Sequence, residues 1–256
     1  TRPVDEHAGH VQPVPAPSAA TTAAQPSAGL PASAAHASAR LATSPRHGEW
    51  VMVPLAAGSP DSVRAWIVYP ERATKAPVVV VVHEIFGLTT WVRGVADQLA
   101  AEGFIAVAPD YLTGLVSSAS PDNLSMEEGR AAMQKVNFET ATRQTQAVAQ
   151  WASTLPAANG RWGIVGYCWG GSMVWRQAIA AGERAGAGVV YYGTLPNDTR
   201  PGAANLRAPI LGLYGGSDAR VNATIPATDS LMRSLGKIFE HHVFDGAGHG
   251  FLRQQE

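Results

Sequence analysis

From about residue 47 onward, apolar and polar positions fall into alternating strand-like and helix-like blocks. Residues 49–55 and 62–69 alternate apolar and polar side chains, the period-2 pattern of half-buried strands, and predict an antiparallel pair at a sheet edge. Residues 78–83 form a nearly continuous valine run and residues 104–108 a second apolar run, as expected of strands buried on both faces. Residues 91–101, between them, have helical spacing, so the three segments read as a βαβ unit. The alternation continues with helix 138–155, strand 162–166, helix 172–181, strands 188–192 and 210–214, helix 227–235 and strand 238–244. This pattern predicts an α/β domain with a mostly parallel sheet covered by helices on both faces.

Residues 1–46 break the pattern. They are dominated by Ala, Pro, Ser and Thr, as in Pro13-Val14-Pro15-Ala16-Pro17, and carry few large apolar side chains to offset the entropy of folding. The expectation is an extended tail over 1–46, followed by a domain over 47–256. A tail of this composition, if ordered, implies a surface that holds it, such as a protein partner bound by residues 1–46.

Composition narrows the function. With 46% hydrophobic and 15% charged residues over 256 positions, the chain can bury one sizeable core. A formal net charge of -1 gives no long-range attraction for nucleic acid. The aliphatic run over residues 78–82 is far shorter than the roughly 20 apolar residues of a membrane span, so no transmembrane segment is expected. The single cysteine excludes an intrachain disulfide and a multi-cysteine metal site, leaving Cys168 as either inert packing or a working thiol.

Its surroundings favour the thiol. Gly166-Tyr167-Cys168-Trp169-Gly170-Gly171 lies where a predicted strand passes into a predicted helix. Small flanking residues permit the sharp turn that lifts a nucleophile above a sheet and aims the next N–H at a developing oxyanion. In this architecture the acid and then the histidine follow on later strands. Asp218 follows Tyr214-Gly215-Gly216-Ser217, and His249 lies in Asp245-Gly246-Ala247-Gly248-His249-Gly250. Cys168, Asp218 and His249 therefore stand in the order a nucleophile, acid and base require.

From residue 63 to the end, the sequence resembles the dienelactone hydrolase family, a cysteine branch of the α/β-hydrolases. The resemblance rests on His83-Glu84-Ile85-Phe86-Gly87-Leu88, Pro109-Asp110, the Cys168 elbow, Gly216-Ser217-Asp218 and Gly248-His249-Gly250-Phe251. It implies an ester or lactone hydrolase that works through Cys168, Asp218 and His249 and needs no metal or organic cofactor. It further implies that Glu84 holds or receives the thiol proton at rest, protecting what would otherwise be an oxidisable, low-pKa thiolate. Glu84 could alternatively cap the helix that starts near Thr89. The expected oxyanion donors are the backbone N–H groups of Ile85 and Trp169. Arg253 matches a family arginine that receives a substrate carboxylate, with a solvated role as its alternative, and Arg130 aligns loosely with a second.

Two departures matter. Family members continue into a final helix beyond the point where this chain stops, so the domain is expected to lack that helix and to expose apolar sheet surface. The tail is the other departure. It keeps open a second reading, a hydrolase-like accessory or structural subunit of a larger, possibly membrane-associated assembly, anchored by residues 1–46. The start at Thr1 and the lone thiol suit export to the periplasm or secretion; a cytoplasmic location is the alternative.

Overall fold

The computed structural model describes residues 29–116 and 124–255. Valine-rich and aromatic segments form eight strands: β1 (Gly48–Pro54), β2 (Ser62–Val68), β3 (Ala76–Val82), β4 (Ile105–Pro109), β5 (Ala158–Tyr167), β6 (Gly188–Tyr191), β7 (Ile210–Gly215) and β8 (Phe239–Phe244). They make one sheet in the order β1-β2-β4-β3-β5-β6-β7-β8. β1 pairs antiparallel with β2, and β2 antiparallel with β4; all other pairings are parallel. The edge hairpin, the central βαβ unit and each later strand occur where the apolar pattern predicts them.

The helices are α1 (Ala37–Ala42), α2 (Thr90–Ala101), α3 (Met126–Met133), α4 (Phe138–Ser153), α5 (Trp169–Ala181), α6 (Ala219–Asn222), α7 (Ile225–Ser234) and α8 (Phe251–Gln254). One face of the sheet packs on α4, α5 and α7 through Val80, Ile164, Val148, Trp175 and Met232. The other packs on α1 and α2 through Val81, Val165, Ala37, Trp91 and Val95. Beside α2 this second face carries an apolar groove of about 410 Å³, lined in part by Val79, Leu99, Val165 and Tyr191. No described helix is long and apolar enough to cross a membrane.

The extended-tail expectation does not describe residues 29–46. Ala37 of α1 is fully buried, and a Cβ on Gly94 of α2 would lie 3.6 Å from the Ala37 Cβ. Close approach of two small residues replaces the large apolar contacts whose scarcity suggested disorder. Polar contacts complete the anchoring. The buried Asp97 carboxylate accepts from the Ser44 hydroxyl and from Arg46 Nε and Nη2, the latter two at 3.0 and 2.7 Å. The Ala34 N–H donates to the Arg253 carbonyl at 2.9 Å, and the Gln255 amide donates to the Pro31 carbonyl. The surface that holds residues 29–46 is therefore the chain's own domain. Residues 1–28, the remainder of the expected partner-binding tail, lie outside the described residues.

α3 is an element that hydrophobic periodicity did not predict. Its start is marked by a capping box: the Ser125 hydroxyl accepts from the Glu128 N–H, and the Glu128 carboxylate accepts from the Ser125 N–H.

Candidate active site

Cys168 sits between β5 and α5 with φ 55° and ψ -113°. A non-glycine residue held there stores roughly 1–3 kcal/mol of backbone strain, so the neighbourhood must hold it in place. The Cys168 N–H donates to the Tyr191 carbonyl at 3.0 Å and its own carbonyl accepts from the Ser172 N–H at 3.2 Å. Packing requires the flanking glycines. A Cβ at Gly166 would lie 2.2 Å from the Gly170 oxygen, one at Gly170 2.2 Å from the Val82 oxygen, and one at Gly171 2.6 Å from the Tyr191 oxygen. The turn is thus pressed against the ends of β3 and β6, with the thiol raised above the sheet.

Asp218 follows β7 and is buried. One carboxylate oxygen accepts from the Val221 N–H at 3.3 Å, capping α6, and the other lies 2.5 Å from His249 Nδ1. Spending Nδ1 on Asp218 leaves His249 Nε2 for a second partner. Tyr192, itself at φ 41°, meets the imidazole edge-on with ring centroids 5.0 Å apart. Cys168, His249, Ile85, Trp169 and Tyr192 are among the residues around a cavity of about 220 Å³. β5, β7 and β8 bring the three candidate groups to one end of the sheet, since their parallel order sets all three carboxyl ends on the same side.

Glu84 is buried just after β3. Burial pushes its carboxyl up from 4.5 to about 7, and Arg253 pulls in the opposite direction. Arg253 Nε lies 3.3 Å from Glu84 Oε2, an ion pair by distance in which the Nε–H is not directed at the carboxylate. The Arg253 guanidinium also stacks over Phe86 at 5.0 Å, and Arg130 of α3 lies over the same ring at 5.7 Å. Arg253 is thus engaged with Glu84 and Phe86, and Arg130 is exposed on α3. Neither is among the residues that line the Cys168 cavity.

The Cys168 thiol is not the low-pKa group that a helix N-terminus suggests. Burial pushes it up, and Glu84 and Asp218 add to this; the Trp169 N–H and the Arg220 guanidinium pull it down. The raising effects prevail, so the resting thiol keeps its proton.

His83 is a positioning residue that the sequence reading did not separate from its motif. Fully buried, it has its pKa lowered by desolvation. The Tyr111 N–H points at Nε2 at 3.4 Å, leaving Nδ1–H to donate to the Glu84 carbonyl at 2.8 Å. A neutral imidazole therefore ties down the turn that carries Glu84 and Ile85. Among the described residues, no group of three or more His, Cys, Asp or Glu side chains is arranged to hold a metal ion.

Residues 63–256 match the family model described as the dienelactone hydrolase family. A putative carboxymethylenebutenolidase of Methylorubrum extorquens is 32% identical over 210 residues, covering 78% of this chain and 71% of that relative. The carboxymethylenebutenolidase of Pseudomonas putida is 28% identical over 183 residues, covering 70% of this chain and 76% of that relative. Among solved structures, a putative dienelactone hydrolase from Klebsiella pneumoniae aligns with a TM-score of 0.69 at 26% identity, covering 82% of this chain and 90% of that one. With the mostly parallel sheet and the strand-to-helix elbow, these matches show that the chain is a hydrolase of the ester- and lactone-cleaving kind and belongs to the dienelactone hydrolase family.

Proposed function

We propose that this hydrolase cleaves an ester or lactone through a thioester on Cys168, with His249 as base and acid and Asp218 as its orienting partner. The observation that carries the reading is the short contact between His249 Nδ1 and Asp218 beside the strained Cys168 elbow. Asp218 holds the imidazole in the tautomer whose Nε2 is free to take a proton.

His249 Nε2 takes the thiol proton, and the thiolate sulfur adds to the substrate carbonyl. The oxyanion so formed accepts from the N–H groups of Ile85 and Trp169. Collapse expels the alkoxide, which takes its proton from His249. Water, deprotonated by His249, then attacks the thioester and releases the acid, returning the proton to sulfur.

Glu84 supplies the resting control. A carboxyl held at about 7 can be neutral or charged near neutrality, and its negative form disfavours the thiolate. Engagement of Arg253 by Glu84 keeps that charge close to the sulfur until a bound substrate competes for it.

A chromogenic short-chain ester tests the scheme. The expected result is a burst of released alcohol stoichiometric with enzyme, abolished in Cys168→Ala, with the acyl group found on the thiol by intact mass. A folded protein that turns over the ester equally well without the thiol would refute it.

A further inference from the structure

The cavity over Cys168 has one cationic wall, and Arg253 does not form it. Arg220 lines the cavity together with Cys168 and His249, two residues after Asp218 on the turn whose carboxylate cap fixes α6. Among the described residues its guanidinium makes no ion pair and no hydrogen bond, and the residue is exposed. Its charge nevertheless reaches the sulfur, where it favours the thiolate.

The other two arginines considered for anion recognition are engaged elsewhere, Arg253 beside Glu84 and Phe86, and Arg130 over Phe86. In its charged form Glu84 opposes a second negative charge at the sulfur. A negatively charged group entering the cavity is therefore drawn to the opposite charge at Arg220. A guanidinium with its donors unengaged can receive a carboxylate through two parallel hydrogen bonds.

We propose that Arg220 is the anion-receiving, specificity-determining residue of this cavity, holding a carboxylate on the acyl part of a compact ester or lactone. The substrate assignment rests on the hydrolase mechanism proposed above; the anion-receiving property does not, because it can be read on the thiol without turnover.

The full chain is alkylated with iodoacetate and, separately, with its neutral isostere iodoacetamide, and adduct formation on the single cysteine is followed by intact mass. The ratio of the two rates reports attraction of an anion to the cavity and cancels changes in thiolate fraction. In Arg220→Gln the iodoacetate-to-iodoacetamide ratio should fall about fivefold, as for a partly exposed charge pair of about 1 kcal/mol, and Arg220→Lys should restore most of it. Arg161→Gln, at the opposite end of β5, removes the same unit charge and should leave the ratio near that of the parent. An unchanged ratio in Arg220→Gln, or an equal fall in Arg161→Gln, overturns the assignment.

The same variants are then compared on a 4-nitrophenyl ester of succinate and on the butyrate ester, which lacks the carboxylate. The ratio of kcat/KM values should fall about tenfold or more in Arg220→Gln, the worth of a charge-assisted hydrogen bond; equal losses on both esters would overturn the assignment. Absence of turnover by the parent on either ester refutes the hydrolase mechanism, and the alkylation ratio still decides the role of Arg220.

Discussion

Replacing Gly170 by alanine measures how firmly the elbow is held against the sheet. The added Cβ would lie 2.2 Å from the Val82 carbonyl oxygen and 2.6 Å from that of His83. An ordinary carbon–oxygen contact is about 3.3 Å, so α5 must withdraw by about 1 Å. Both oxygens are main-chain atoms at the end of β3, and no rotamer change relieves the clash. Overpacking of this kind costs about 3 kcal/mol, and alanine in a helix returns about 1 kcal/mol relative to glycine. The net loss is about 2 kcal/mol, or a fall of about 4–8 °C in Tm for a chain of this size.

Displacing Cys168 and the Trp169 N–H by about 1 Å should lower kcat about a hundredfold. Gly94→Ala is the matched control: also a helical glycine, its new Cβ would meet Ala37 at an ordinary 3.6 Å, so the same change should stabilise by about 1 kcal/mol. Urea denaturation and initial rates on a chromogenic ester provide both readouts. A Gly170→Ala protein as stable as Gly94→Ala, with most of the parent activity, would refute the reasoning.

Other outcomes follow from single groups. Glu84 holds a proton in the folded state up to about pH 7 that the unfolded chain loses near 4.5. The stability it contributes is therefore complete below about 4.5 and lost as pH rises through about 7. Glu84→Gln should gain about 3 kcal/mol relative to the parent between those limits; chemical denaturation at pH 4.5 and pH 8 measures the gain, and parallel stability curves would refute it. Asp218→Asn should lower kcat by about 10³–10⁴ through loss of the imidazole tautomer, with circular dichroism unchanged; a loss confined to KM contradicts that role. Arg46→Ala leaves the buried Asp97 carboxylate without its bidentate partner and should destabilise by about 3 kcal/mol in urea titration, because an uncompensated buried charge remains.

The sheet was legible because its strands carry their burial in their composition: the valine run of β3 reads as a buried strand, and every valine in it except the half-buried Val79 is enclosed. The elbow was legible for a similar reason, since Gly166, Gly170 and Gly171 leave room that only a close backbone approach explains. Side-chain direction was not. Arg253 stands where the family pattern puts an anion receiver and lies over Phe86 beside Glu84, outside the lining of the Cys168 cavity, whereas Arg220 lines that cavity from a turn noted only for Asp218. The thiol misled for a different reason: its helix-terminal position was readable, but desolvation and the Glu84 charge, which dominate, depend on three-dimensional neighbours. α1 escaped notice because alanine counts for little in an apolar pattern but packs closely where it meets glycine, as at Gly94.

The hydrogen bonds from Ala34 to Arg253 and from Gln255 to Pro31 join segments up to 224 residues apart in sequence. They close the described fold into a ring whose clasp lies just beyond His249. Loop-closure entropy grows slowly with length, but it must be met before the contact repays it, so a clasp of this span forms late, after the sheet has drawn its two sides together. In hydrogen exchange the Ala34 amide should behave as part of a separate low-stability unit, opening well before the amides of β3 and β5. The histidine loop would then share the fate of that clasp, and heat or mild denaturant would silence the enzyme while its central sheet was still intact.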